Sequence, residues 1–145
     1  MTDPALRSAS PAWVIFALAM GAFAIGTTEF AAMSLVPFFA ADLGITEVQA
    51  GHAISAYALG VVVGAPLIAI FGARIRRRTL LMGLMGLFAM ANGLSALAPD
   101  YGSLLVFRFL SGLPHGAYFG VAALVAASLV PVNRRAKAVA LVMSV

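Results

Sequence analysis

Apolar residues fill four long stretches of this chain, residues 12–36, 48–71, 79–98 and 103–130, separated by short polar segments. Crossing a ~30 Å hydrocarbon layer takes about 20 helical residues, so the pattern predicts four membrane-spanning helices. Residues 1–11 form a polar tail. Pro11 stands where the first helix starts, a position at which a missing N–H costs nothing. Pro37 and residues 38–46 read as the first connection, residues 73–78 as a tight turn, Pro99-Asp100-Tyr101-Gly102 as a second turn, and residues 131–137 as a further loop. Thr46-Glu47-Val48-Gln49 has the outline of a capping box leading into the second helix. Connections this short make consecutive helices antiparallel neighbours, and each helix satisfies its own backbone polar groups, as lipid requires. The fold class is therefore an all-α membrane protein of four transmembrane helices plus the start of a fifth. That fifth run, residues 138–145, gives only about 12 Å of helix, too little to span. The expectation is a piece of a longer protein.

The polar segments alternate in charge. One side carries Arg7, then Arg74, Arg76, Arg77 and Arg78, then Arg134, Arg135 and Lys137; the other carries Asp42, Glu47 and Asp100. Eight of the nine basic residues thus share one side. Basic residues concentrate in cytoplasmic loops, so residues 1–11 are expected to be a cytoplasmic tail in a multi-pass protein of the inner (plasma) membrane. Arg7 followed by an apolar run and Ala22-Phe23-Ala24 has the outline of a secretory signal. The apolar run continues to Val36 and three more spans follow, which argues against that reading.

Composition narrows the class further. Hydrophobic residues make up 63% of the chain and charged residues 10%, whereas a soluble domain carries about 25% charged residues. The net charge of +4 does not point to nucleic acid. The basic residues sit in short loops beside apolar helices, where orientation and anionic headgroups explain them. With no cysteine there is no disulfide or thiol chemistry.

Small residues mark the helix contacts. Ala56, Gly60 and Gly64 recur every fourth residue on helix two, and Gly112, Gly116 and Gly120 do so on helix four. Such stripes let backbones approach closely. Pro66 and Pro114 interrupt helical hydrogen bonding and are expected to bend their helices.

The polar residues inside the spans carry the functional signal. Glu29 lies in Gly26-Thr27-Thr28-Glu29-Phe30. A charge at the bilayer centre costs at least ~2.5–3.5 kcal/mol, so such residues face protein or water and usually serve a function. Its plainer reading is a carboxylate reaching the outer headgroups. Arg108 lies about 8 Å inside helix four, within expected reach of Glu29, with snorkelling to the outer surface as its alternative. Arg108, Gly112, His115 and Phe119 are spaced to share one face. His115 falls near the centre of its span, and His52 and Asn92 in the outer thirds of theirs. Together these groups are expected to form one polar layer, in which a changed Arg108 contact would shift Glu29 between charged and neutral forms. A lone buried histidine is more often a hydrogen-bonded structural residue than a relay. The histidines have no recognisable metal spacing, and no nucleophile stands beside a base. No metal, cofactor or catalytic site is expected.

Three segments carry a resemblance to a known family. They are Gly26-Thr27-Thr28-Glu29-Phe30, Ala50-Gly51-His52 with Tyr57-Ala58-Leu59-Gly60-Val61-Val62-Val63-Gly64-Ala65-Pro66, and Arg108 with Ser111-Gly112-Leu113-Pro114-His115-Gly116-Ala117. They resemble the major facilitator superfamily, and within it the drug:proton antiporter branch and the arabinose or sugar efflux permeases. The resemblance implies twelve helices in two halves, each built from inverted three-helix repeats. Residues 12–145 would then be part of the N-terminal bundle, with the C-terminal half of the same protein missing. It also implies that helices one and four line the central cavity, and that Arg108 matches an arginine linked to proton coupling. Gly72-Ala73-Arg74-Ile75-Arg76-Arg77-Arg78 corresponds to a signature turn that gates the cytoplasmic side, with Arg74, Arg77 and Arg78 at its basic positions. The acidic residue usual before the first arginine is replaced by Ala73, so a gating salt bridge through that acid does not carry over.

The function expected on these grounds is secondary active transport by alternating access, as proton-coupled efflux of a small drug-like or sugar-like molecule. The partners would be the lipid bilayer, substrate and protons. The alternatives are a symporter or facilitator on the same fold, a non-transporting membrane accessory subunit, and a membrane-embedded enzyme using Glu29, His52 and His115, which no motif supports. Met33, Met90 and Phe119 suit an adaptable apolar cavity and equally suit lipid.

Overall fold

A computed structural model describes residues 10–144. Most of the expected tail, with Arg7, and the terminal Val145 lie outside the described residues. The chain forms helices α1 (Pro11–Ser34), α2 (Val36–Leu43), α3 (Glu47–Phe71), α4 (Arg77–Ala96), α5 (Tyr101–Ser128) and α6 (Arg135–Met143), with short 3-10 turns at Gly72–Arg74 and Val132–Arg134. Helices α1, α3, α4 and α5 are each long and apolar enough to cross a membrane.

Three boundaries differ from the sequence reading. The first connection is largely helical. Leu35 keeps its amide bonded to the Ala31 carbonyl, and Pro37 starts α2 within its first turn, where proline is tolerated. Gly44 then adopts φ 62°. Its amide bonds to Ala41 and that of Ile45 to Ala40, the paired closure that ends a helix at a left-handed glycine. Helix α4 begins at Arg77 and α6 at Arg135, earlier than the apolar runs. Arginine and lysine are good helix formers, so the backbone coils before the apolar segment begins.

The connections are capped as their sequences suggest. The Thr46 hydroxyl accepts from the Gln49 amide at 3.2 Å while the Gln49 side chain accepts from the Thr46 amide at 3.0 Å. Asp100 accepts from the Ser103 amide at 3.0 Å and hydroxyl at 2.7 Å, which fixes the start of α5. Those bonds, the backbone one first, hold the Asp100 carboxyl below the usual carboxylate range.

Helix α5 is the centre of the bundle. It packs most extensively on α3, then on α4, with α6 and α1 at its flanks. In its apolar window 44% of residues are buried, against 17–22% for the other three spans. Elsewhere large apolar side chains such as Trp13, Val62, Phe71 and Met82 point outward, as lipid-facing surfaces require. Ile25, Tyr57, Phe88, Tyr118 and Val142 meet around α5.

Glycine sets the α3–α5 distance. A methyl added at Gly60 would collide with the Phe109 carbonyl, one at Gly64 with the Leu113 backbone, and one at Gly112 with the Tyr57 carbonyl. At Gly116 it would press on Ala65 and Val61 at 3.1 and 3.3 Å. The two stripes therefore face each other, with two adjustments. Gly120 looks into open space. The buried edge of α3 runs through Ala53, Tyr57, Gly60 and Gly64 rather than Ala56. Both α3 and α5 continue as helix through Pro66 and Pro114.

Gly112→Ala should destabilise the bundle by about 1–3 kcal/mol, the usual cost of overpacking, whereas Gly120→Ala should be neutral or slightly stabilising. Thermal unfolding of the complete gene product in detergent separates the two. The Asp100 cap should resist acid. A lowered folded-state value means its contribution is complete above about pH 3.9, the ordinary Asp value, and is lost only as pH falls through that lowered value. Hydrogen exchange at the Ser103 amide should therefore stay slow at pH 5 and become fast at the same pH in Asp100→Ala.

Candidate functional site

Four helices bring one polar chain together inside the bundle. Arg108 on α5 is 4% exposed. Its guanidinium donates to the Asn92 side-chain oxygen on α4 at 3.0 Å and lies 4.5 Å from the ring centre of Tyr57 on α3. Asn92 in turn donates to the Phe88 carbonyl at 2.8 Å. The Tyr57 hydroxyl meets Nδ1 of His115 at 2.8 Å. The same Nδ1 lies 3.8 Å from a carboxylate oxygen of Glu29 on α1. The order is Asn92, Arg108, Tyr57, His115, Glu29. Phe119 tilts against the His115 ring with centroids 5.1 Å apart.

The helical register explains the spacing. Arg108 and His115 are two turns apart on one face of α5, about 10 Å along the axis. Tyr57 docks between them because its carbonyl fills the space that the absent side chain of Gly112 leaves. Its ring then reaches Arg108 on one side and its hydroxyl reaches His115 on the other. A guanidinium over an aromatic face gains about 2 kcal/mol or more when desolvated, and the Asn92 carbonyl supplies a second neutral acceptor. Among the described residues, no buried side-chain nitrogen or oxygen lacks a hydrogen-bond partner.

Two expectations change. Glu29 does not pair with Arg108. Among the described residues the basic and acidic side chains within 4 Å of each other are His115 and Glu29, an ion pair only when the imidazole is protonated. The helical path continues past Ser34 through α2, so Glu29 lies farther from the end of that path than the apolar run indicates. Leu43 is fourteen residues beyond Glu29, and His115 fourteen beyond Tyr101. His52 stands apart from the layer. Its Nδ1 meets the Tyr101 hydroxyl at 2.6 Å, tying the beginnings of α3 and α5.

Arg74, Arg77 and Arg78 are exposed at the opposite end. Arg77 donates to the Leu124 carbonyl of α5 at 3.4 Å. Arg78 borders an open apolar groove of about 490 Å³ with Trp13, Leu18, Met82, Met85 and Tyr118. Met33 and Met90 point outward. Among the described residues no group of three or more His, Cys, Asp or Glu side chains is placed to hold a metal.

Tyr57 is the functional candidate that sequence reasoning passed over. The available signal was a phenol one turn from Gly60 on a helix that is apolar around it. A buried tyrosine hydroxyl usually has a partner, and the facing helix offered His115.

The chain is 50% identical over 126 residues to the inner membrane transport protein YdhP of Escherichia coli, covering 87% of this chain and 32% of that protein. It is 40% identical over 130 residues to the uncharacterized MFS-type transporter YtbD of Bacillus subtilis, with 90% and 33% covered. It is 37% identical over 130 residues to a chloramphenicol resistance protein of Streptomyces lividans, again with 90% and 33% covered. The chain thus spans about a third of the length of these relatives. No solved structure matches it. Residues 18–145, most of the chain, match the Major Facilitator Superfamily as a family, and the chain, with its four membrane-length helices, belongs to that superfamily.

Proposed function

We propose that this chain is the cavity-forming N-terminal part of a multi-pass inner-membrane secondary transporter, one that exports a small drug-like or sugar-like molecule in exchange for protons. The observation that carries the reading is the chain from Arg108 through Tyr57 and His115 to Glu29. A carboxylate, an imidazole and a buried cation in contact within an apolar bundle are costly to insert, and a protonatable group beside a fixed charge is what proton coupling needs. Glu29 is the proton-accepting carboxylate in this reading. Arg108 supplies the fixed positive charge, and Asn92 holds it in place. The remaining helices of a transporter of the relatives' length would close the cavity on the open side of Glu29. The basic turn with Arg74, Arg77 and Arg78 would gate the cytoplasmic end. Drug efflux is favoured as a first trial because one relative confers chloramphenicol resistance by name.

The orientation is open to a direct test, since this chain carries no cysteine. With the N-terminus cytoplasmic, Asp42→Cys should react with a membrane-impermeant maleimide in spheroplasts, and Ala73→Cys should react only after lysis. The reverse pattern would overturn the orientation. Coupling is tested on the complete gene product in proteoliposomes, with labelled chloramphenicol or arabinose and an imposed pH gradient. Uphill movement opposite to the proton gradient should fall at least about ten-fold in Glu29→Gln, while equilibration down the substrate gradient persists. Movement of protons and substrate in the same direction would replace antiport by symport.

A further inference from the structure

We infer that Tyr57 is a positioning residue for the proton on His115, its hydroxyl and the Glu29 carboxylate competing for the same ring nitrogen. The inference rests on the proton-coupling reading for its part in transport, while the competition itself stands on geometry. Both groups converge on Nδ1, the tyrosine at 2.8 Å and the carboxylate at 3.8 Å. That nitrogen carries either a lone pair or one N–H, so it serves one partner at a time.

In the neutral ring Nδ1 accepts the Tyr57 O–H and the proton sits on Nε2. A carboxylate has only acceptors to offer and stands off beyond hydrogen-bond reach. In the charged ring Nδ1 becomes a donor, and the carboxylate is the stronger acceptor because the bond is charge-assisted. Closing about 1 Å would bring Glu29 to the usual length of such a bond. The two partners differ in freedom. Tyr57 is 2% exposed and held by the α3–α5 contact, whereas the Glu29 side chain is 40% exposed, with 17% for His115. A fixed donor therefore faces a movable acceptor.

The other groups around the ring favour this division. Arg108, on the same helix as His115, lies over the Tyr57 ring, and a cation there favours the phenol as donor over acceptor. From α4 the polar group is the neutral Asn92, which is bonded to Arg108. From α1 it is Glu29. The step balances simply. A solvent proton adds to Nδ1, giving imidazolium, and the Tyr57 O–H turns away. Nδ1–H then donates to the ionised Glu29. Transfer of that proton to the carboxylate restores neutral imidazole, leaves Glu29 neutral and returns the Tyr57 hydroxyl to Nδ1.

The test is nitrogen NMR of the complete gene product, labelled with 15N-histidine in lipid nanodiscs, with the His115 signals identified by their loss in His115→Gln. At the pH where the wild-type ring is half charged, Tyr57→Phe should raise the charged-to-neutral ratio about three-fold and Glu29→Gln should lower it about three-fold, as one hydrogen bond of ordinary strength implies. Phenylalanine keeps the ring that lies under Arg108, and the backbone carbonyl of residue 57 that packs at Gly112 is untouched. Shifts of the same sign, or none, overturn the inference. A second reading needs no variant: the neutral wild-type ring must carry its proton on Nε2 with Nδ1 accepting, and a neutral ring protonated on Nδ1 overturns the inference by itself. Opposed shifts with proton-driven transport intact in Glu29→Gln would sustain the competition and remove the coupling reading. Lost coupling without opposed shifts would do the reverse.

Discussion

The close approach of α3 to α5 at Gly112 decides where the polar groups of the bundle can meet. The Tyr57 carbonyl occupies the space that any side chain at 112 would need. Arg108 lies one turn before that point and His115 one turn after it, so a single aromatic ring seated there touches both. Gly60 and Gly64 repeat the fit farther along α3, against Phe109 and Leu113. In lipid there is little hydrophobic gain from bringing helices together, and packing of backbones takes its place. The packing device and the polar site are consequently one piece of construction. A residue that pushed α3 outward would also pull the phenol from the imidazole.

Several other polar side chains are satisfied within their own helices. Thr28, Ser34 and Ser95 each donate to the carbonyl four residues earlier on their own helix, and Ser111 and Ser128 donate three residues back. These residues satisfy themselves and need no neighbour. Arg108, Tyr57, His115 and Glu29 instead find partners across helices. That separates groups tolerated by the membrane from groups whose placement depends on the fold.

The spans were legible because hydropathy over about 20 residues follows directly from bilayer thickness, and the caps at Thr46 and Asp100 because local hydrogen bonding follows from a few adjacent residues. The glycine stripes were legible as packing faces. Which of their members would actually face a neighbour was not, since Gly120 has the spacing of Gly112 and Gly116 yet meets nothing. The helix at Val36–Leu43 was hidden by Pro37, which reads as a break but is accommodated in a first turn. That misreading also placed Glu29 too near the outer end and opposite Arg108. Tyr57 was overlooked because a tyrosine in an apolar helix has an ordinary packing role, and its second partner lies fifty-eight residues away. Pairings of that kind depend on helix rotation and depth, which one apolar pattern does not encode.

Charge within the cluster gives the arrangement a direction. With His115 neutral, Arg108 and an ionised Glu29 sum to zero, although they are not in contact. Adding one proton to His115, or passing it on to Glu29, leaves the cluster at +1, and among the described residues no other carboxylate lies within 4 Å of its basic groups. In the proposed coupling the proton-loaded cluster would then be the charged one and the empty cluster the neutral one. A charge displaced across a membrane potential gains or loses about 2.3 kcal/mol per 100 mV. Under the proposed proton coupling, an interior-negative potential would act on the loaded cluster, drawing its charge toward the cytoplasm, and would leave the empty one almost indifferent. Had Glu29 paired directly with Arg108, each would have neutralised the other in a tight contact and a proton would have had to break it. Interposing Tyr57 and His115 keeps the carboxylate available while Arg108 stays buried against neutral partners.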